Sequence, residues 1–288
     1  LIFESNYQAF VNKKNWQRSL KFLSILSVSL FFNHCATTSK SRVVVPADLT
    51  LETLQSKVSQ NYHRLQSFEG EARVIIELPG SGHNGFSEVF INFPDSIFIK
   101  TEAMLGIDIG SLFLNHRHFA AYAPRENIFY YGETENLDLR EFLQVELKTE
   151  ELYEALTGLV QVPMNASSRL SSDDGKLLVT ATVEAGDLKL WIDPEKFLVT
   201  KSQLLDPSGK VLLSKEMQRI RRRNGVELPQ IIRLTRPQAR ERITVYYTGQ
   251  KVNASISPAK FKLKHASNAR RVYWGDLERP QVDRNLMK

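Results

Sequence analysis

Residues 101–132, TEAMLGIDIGSLFLNHRHFAAYAPRENIFYYG, are apolar on both faces of an extended chain, which restricts the fold more than any other stretch. Side chains of a strand point alternately to its two faces. Ile107, Ile109, Ser111 and Phe113 therefore share one face, and Asp108, Gly110, Leu112 and Leu114 the other. Phe119, Ala121 and Ala123 then alternate with Ala120, Tyr122 and Pro124, and Ile128-Phe129-Tyr130-Tyr131 closes the group. An antiparallel sheet with one wet face would place a polar residue at every second position. Two apolar faces imply a sheet curled around something apolar, whether a core or a cavity.

Ahead of this stretch, Leu51, Leu54, Val58, Tyr62 and Leu65 recur at helical spacing with Thr50 as N-cap, which predicts an amphipathic helix over 50–67. Its apolar face needs a sheet or an opening to lie across. Phe68, Gly70, Ala72, Val74, Ile76 and Leu78 then alternate with charged residues as in a half-exposed strand, and PGSGHNG (79–85) reads as a turn. Strands follow at 86–93 and 96–102. Beyond the central stretch, 137–147 and 149–160 read as short helices, the second with an apolar stripe of Leu152, Leu156 and Leu159. The remainder is strands separated by turn signals, among them Asp193-Pro194, Asp206-Pro207-Ser208-Gly209 and Asn224-Gly225. The tail from His265 is polar and basic and reads as loosely ordered. The expectation is a mainly β fold with α lids: a single half-open antiparallel barrel of about eleven strands over 50–264, one helix before it and a helical pair inserted midway.

The N-terminus reads as an address. Lys13, Lys14, Arg18 and Lys21 precede the apolar run FLSILSVSLFF (22–32), long enough for a signal-peptide core and too short to span a bilayer as a helix. Residues 1–34 are read as signal peptide with an upstream extension. Cys35, the only cysteine, follows the run after Asn33-His34, and it opens a linker over 35–49 with Thr37, Thr38, Ser39, Lys40 and Ser41. An intramolecular disulfide is therefore excluded. Of the formal charge of +6, the first 34 residues hold +3, which leaves little net charge on the rest. Nucleic acid is not expected as a partner.

The ordered series of signals resembles the bacterial LolA/LolB-like fold, that of the periplasmic lipoprotein carrier and its lipid-anchored outer-membrane receptor. The resemblance rests on the amphipathic helix, a Phe68-x-Gly70-x-Ala72 first strand, the Leu105-Gly106 turn and the Leu112-x-Leu114 strand end. Leu152, Leu156, Gly158 and Leu159, the Asp-Pro turn after Trp191, and Gly225-x-x-Leu228-Pro229 continue it. A cysteine after an apolar run resembles the lipidation site of the anchored receptor, although His34 and Phe32 depart from that motif; the alternative is an unmodified cysteine. The resemblance implies a half-barrel holding acyl chains of lipoproteins or lipids under helical lids, lined by Val74, Ile76, Phe90, Phe98, Ile107, Ile109, Leu112 and Leu114. It also implies a membrane-insertion loop at Met104, Leu105 and Gly106, the alternative being a hairpin whose Leu105 folds back beneath a lid. A periplasmic carrier protein is an implied partner, and the periplasmic face of a diderm outer membrane the implied location.

Catalytic chemistry is not expected. No nucleophile elbow, phosphate loop or dinucleotide fingerprint occurs, and no cofactor is implied. His116 and His118 would share a strand face and could chelate a metal, but no spacing points to a third ligand, so they are read as exposed hairpin histidines and no metal site is expected. Arg221, Arg222 and Arg223 beside the Asn224-Gly225 turn are either an anionic contact or a solvated hairpin end. The rival to lipid binding is a structural or sensory envelope lipoprotein that uses the same fold for protein contacts.

Overall fold

The computed structural model describes residues 46, 48–103, 106–143, 147 and 149–276. The predicted address, Cys35, the linker up to 45, Met104, Leu105 and the last twelve residues of the tail lie outside them. Fourteen strands form one sheet: β1 (Ser67–Leu78), β2 (Ser81–Asn92), β3 (Ser96–Glu102), β4 (Asp108–Leu114), β5 (His118–Ala123), β6 (Ile128–Glu133), β7 (Arg169–Asp173), β8 (Lys176–Val183), β9 (Gly186–Ile192), β10 (Val199–Leu205), β11 (Val211–Arg223), β12 (Val226–Arg236), β13 (Glu241–Val252) and β14 (Arg270–Tyr273). Three α-helices accompany it among the described residues: α1 (Leu51–His63), α2 (Leu139–Leu143) and α3 (Thr149–Thr157).

The strand order is β14-β6-β5-β4-β3-β2-β1-β13-β12-β11-β10-β9-β8-β7. Two long meanders thus meet where β1 pairs with β13, and β14 and β7 are left as free edges. The expected barrel of about eleven strands gives way to an open sheet of fourteen. Part of the shortfall has a local cause: β7 (RLSSD) and β14 (RRVY) are short and polar, without the alternation that marks a half-buried strand. β14 also breaks the antiparallel pattern by pairing parallel to β6. The stretch from His265, expected to be loose, is therefore built into the fold as far as residue 276.

Helix α1 starts where the sequence places it. The Thr50 hydroxyl accepts from the Thr53 amide at 3.2 Å, satisfying one of the free N–H groups of the first turn. The helix stops at His63, earlier than its apolar spacing extends, because the chain must straighten into β1 at Ser67. Its inward face buries Leu54 and Val58 against Leu177, Val179, Leu190, Ile192 and Val199 of β8–β10. Asn61 pins the last turn to β12: its amide donates to the Glu227 carbonyl at 2.9 Å and its oxygen accepts the Glu227 amide at 2.8 Å.

The same face of the sheet continues beneath α2 and α3. There Phe68, Ala72, Val89, Ile91, Ile97, Ile99, Leu112 and Leu114 meet Leu139, Leu152, Ala155 and Leu156. Complete burial of one such Leu, Ile or Phe is worth about 1.5–3 kcal/mol, so this layer supplies much of the stability.

Gly158 closes α3 in a left-handed conformation, φ +69°, and a Cβ there would stand 2.4 Å from the Pro229 ring. Gly158→Ala therefore combines backbone strain of about 1–2 kcal/mol with a collision against a buried proline. It should lower Tm by roughly 5 °C or more, and a thermal melt checks this.

Candidate functional site

The helix-covered face holds both clusters of buried apolar side chains, and its covers are attached very differently. α3 is tied down by polar links as well as by packing. Tyr247 on β13 donates from its hydroxyl to the Leu156 carbonyl at 2.5 Å. Burial pushes its pKa up, so it remains a neutral donor. Tyr153 donates to the Pro94 carbonyl at 2.8 Å, its pKa likewise raised by burial. Lys215, buried on β11, reaches Glu154 of α3 at 2.5 Å. These contacts make α3 a fixed roof.

α2 is a single short element held otherwise. Leu139 is buried, and the Phe142 ring lies 5.9 Å from Phe119, 5.6 Å from Tyr130 and 5.0 Å from Trp274. Among the described residues these apolar and ring contacts are its attachment to the sheet. Trp274 arrives from the far end of the chain by way of β14, and its indole N–H donates to the Asn136 carbonyl at 3.0 Å. Gly132 leaves room for it, since a Cβ there would stand 3.0 Å from that of Trp274 and 3.1 Å from the Phe119 ring. Four aromatic rings thus form a box whose lid is five residues long.

The register divides the eight anticipated lining residues between two faces. Leu112 and Leu114 pair with Ile99 and Ile97 on the covered face, fully buried. Val74 packs against that core, and Ile76 follows it two residues on, half-buried at the hairpin end. Phe90 and Phe98 pair with each other and project from the opposite face, because they alternate with Val89, Ile91, Ile97 and Ile99. Ile107 and Ile109 are 64% and 50% exposed, next to the register shift at Thr101/Glu102. A single lining made of all eight is thus ruled out by the register. Gly106 adopts φ +74° in the turn, where the Ala103 amide donates to the Ile107 carbonyl at 2.8 Å.

Phe90 and Phe98 are buried for a reason the alternation does not reveal. Residues 253–269 leave β13 beside β1 and cross the outer face to reach β14 beyond β6. On the way Lys260 sits 4.8 Å from the Phe90 ring and His265 lies 4.5 Å from Phe129. The apolar character of both faces in 101–132 thus comes from helices on one side and this strap on the other.

Arg221 and Arg222 are exposed on β11, and Arg223 donates to the Gln250 side chain at 3.0 Å. His116 and His118 are exposed around a turn organised by Asn115, whose side chain accepts from the Arg117 and His118 amides. No group of three metal-ligating side chains occurs among the described residues, and no helix among them is long and apolar enough to cross a membrane. Two open concavities, of about 490 and 580 Å³, lie at the surface beside α1 and beneath the strap. Among the described residues the covered layer is a contiguous cluster of buried apolar side chains.

A LolA superfamily protein from Nitrosomonas europaea superposes with a TM-score of 0.51 at 14% identity, over 75% of this chain and 98% of its own. A Vibrio parahaemolyticus domain assigned to outer membrane lipoprotein sorting gives 0.52 at 10% identity, over 72% and 95%. The fold is LolA/LolB-like. A DUF1329 family protein from Desulfovibrio piger also shares it, with a TM-score of 0.56 at 12% identity over 73% of this chain and 96% of that one. No protein-family model and no curated protein matches the sequence. At these identities the likeness is one of LolA/LolB-like architecture, and site chemistry has to be argued from this chain's own residues.

Phe142, Trp274, Tyr247 and the Lys215–Glu154 pair are site residues that pattern reading did not single out. Phe142 and Glu154 carried a signal, since they fall within the predicted 137–147 and 149–160 helices.

Proposed function

We propose that this chain is an envelope lipoprotein that binds an acyl chain of a lipoprotein or lipid on the helix-covered face. It would act in transfer of that cargo to, or insertion into, the outer membrane, anchored through Cys35 at the periplasmic face. The observation that carries the reading is the contrast between the two covers: α3 is bound by buried polar links, whereas α2 rests on ring contacts. An acyl chain could replace the Phe142 ring and Leu139 with surface of the same kind, so opening α2 need not leave a buried polar group unpaired. Such binding requires apolar area and a movable cover rather than catalytic groups, and we read the protein as a non-enzyme.

The test is titration of the protein with a fluorescent long-chain acyl probe. Phe142→Ala removes the competing ring and should strengthen binding about tenfold, since a truncated aromatic in a half-buried site gives up on the order of 1–2 kcal/mol. Unchanged or weaker binding in a folded Phe142→Ala protein would refute displacement of α2 by the acyl chain. The contiguous burial of apolar side chains in the covered layer favours a second reading, a protein-interaction module without lipid cargo. That module would ignore the probe altogether.

A further inference from the structure

From residue 242 to residue 275 the chain contains seven Lys or Arg and no Asp or Glu. Arg242 pairs with Glu77 and Lys251 with Glu69. The other five, Lys260, Lys262, Lys264, Arg270 and Arg271, are exposed and have no carboxylate partner among the described residues. All five lie on the strap or on β14. Alternation orients the strap: Phe261 and Leu263 are half-buried, whereas Lys260, Lys262 and Lys264 between and beside them are exposed. Glu71 and Glu88, an exposed cross-strand pair, mark the edge of this surface one row nearer the β1–β2 turn.

We propose that the outward side of the 253–269 strap, with Arg271, docks on an anionic phospholipid bilayer. The three lysines are flexible point charges on the outward side of the strap, and none of them lines the concavity beneath it. That suits a diffuse negative surface better than one carboxylate or phosphate in fixed geometry. Nucleic acid would call for open aromatic faces on which bases stack. Here Phe90 lies under Lys260, and Phe129 and Tyr131 lie under Arg271 at 5.2 and 5.4 Å. The surface is on the face opposite the helices, so docking there leaves α2 free. The proposal does not rest on acyl binding.

The experiment is cosedimentation of the full chain with phosphatidylcholine vesicles, with and without phosphatidylglycerol, at two salt concentrations. Neutral vesicles report whatever the N-terminal apolar run contributes. Phosphatidylglycerol should add a salt-sensitive component, and K260Q/K262Q/K264Q should weaken that component roughly a hundredfold, given the contribution of each lysine near such a surface. The three side chains are exposed, so the variant should melt like the parent and keep its acyl-probe affinity. R221Q/R222Q on β11, which also removes exposed charge, should leave vesicle binding nearly unchanged. A parent that ignores phosphatidylglycerol, or a strap variant that binds like the parent, overturns the proposal. Strap-dependent binding to polyglutamate without binding to vesicles would overturn it in favour of an acidic protein partner.

Discussion

Glu154→Leu is expected to destabilise the protein by about 3 kcal/mol, whereas Lys215→Met should cost roughly half of that or less. The two ends of this ion pair are unequally buried: the Lys215 side chain is 9% exposed and that of Glu154 28%. Lys215 projects from β11 between Ser202 and Leu234, both buried on the covered face. Removing the carboxylate strands an ammonium where water does not reach. Removing the ammonium leaves a carboxylate that can turn toward solvent. The double variant Glu154→Leu/Lys215→Met should recover most of the loss, since a well-packed apolar pair often replaces a buried ion pair at little cost. Denaturant titration of the three proteins checks this. Equal losses in the two single variants would mean that the pair is effectively solvated and is not what fixes α3.

Ending the chain after Asn253 is expected to be the most damaging change. It removes the strap, β14 and Trp274 together. Trp274→Ala alone should cost about 3 kcal/mol, because the ring meets Phe119, Tyr130 and Phe142. The shortened chain also uncovers Phe90, Phe98 and Phe129, each worth roughly 1.5–3 kcal/mol when buried. Domains of ordinary stability have about 5–15 kcal/mol in hand. The truncated protein should therefore be insoluble or unfolded by circular dichroism, with Trp274→Ala folded and measurably weaker. A truncated protein that melts like the full chain would show that the strap is an accessory and that the outer face tolerates water.

Much of this architecture is legible in the sequence. Apolar spacing and the Thr50 cap locate α1, and period-two alternation locates β1, β8 and β13. What the sequence leaves open is the direction in which each strand faces. Phe90 and Phe98 are as apolar as Leu112 and Leu114, and only pairing assigns the two sets to opposite sides. The strap is harder still to recognise. Up to Lys264 it reads as the end of the expected barrel and from His265 as tail, and its few semi-buried residues, among them Ile256, Phe261 and Leu263, do not announce a crossing of the outer face. Ile109 is exposed beside a register shift that composition does not announce. Lys215 resembles any surface lysine until β10 and β12 close on either side of it.

The most direct test of the central claim is native mass spectrometry of the full chain, with and without a long-chain acyl probe, for the parent, Leu112→Trp and Ile109→Trp. Leu112 lies on the covered face and Ile109 is half-exposed outside it, so only the first substitution should block an acyl site. The account predicts one acyl chain bound per parent molecule, the same for Ile109→Trp, and none for a folded Leu112→Trp. Binding that survives at Leu112→Trp, or a parent that takes up no acyl chain, would contradict it.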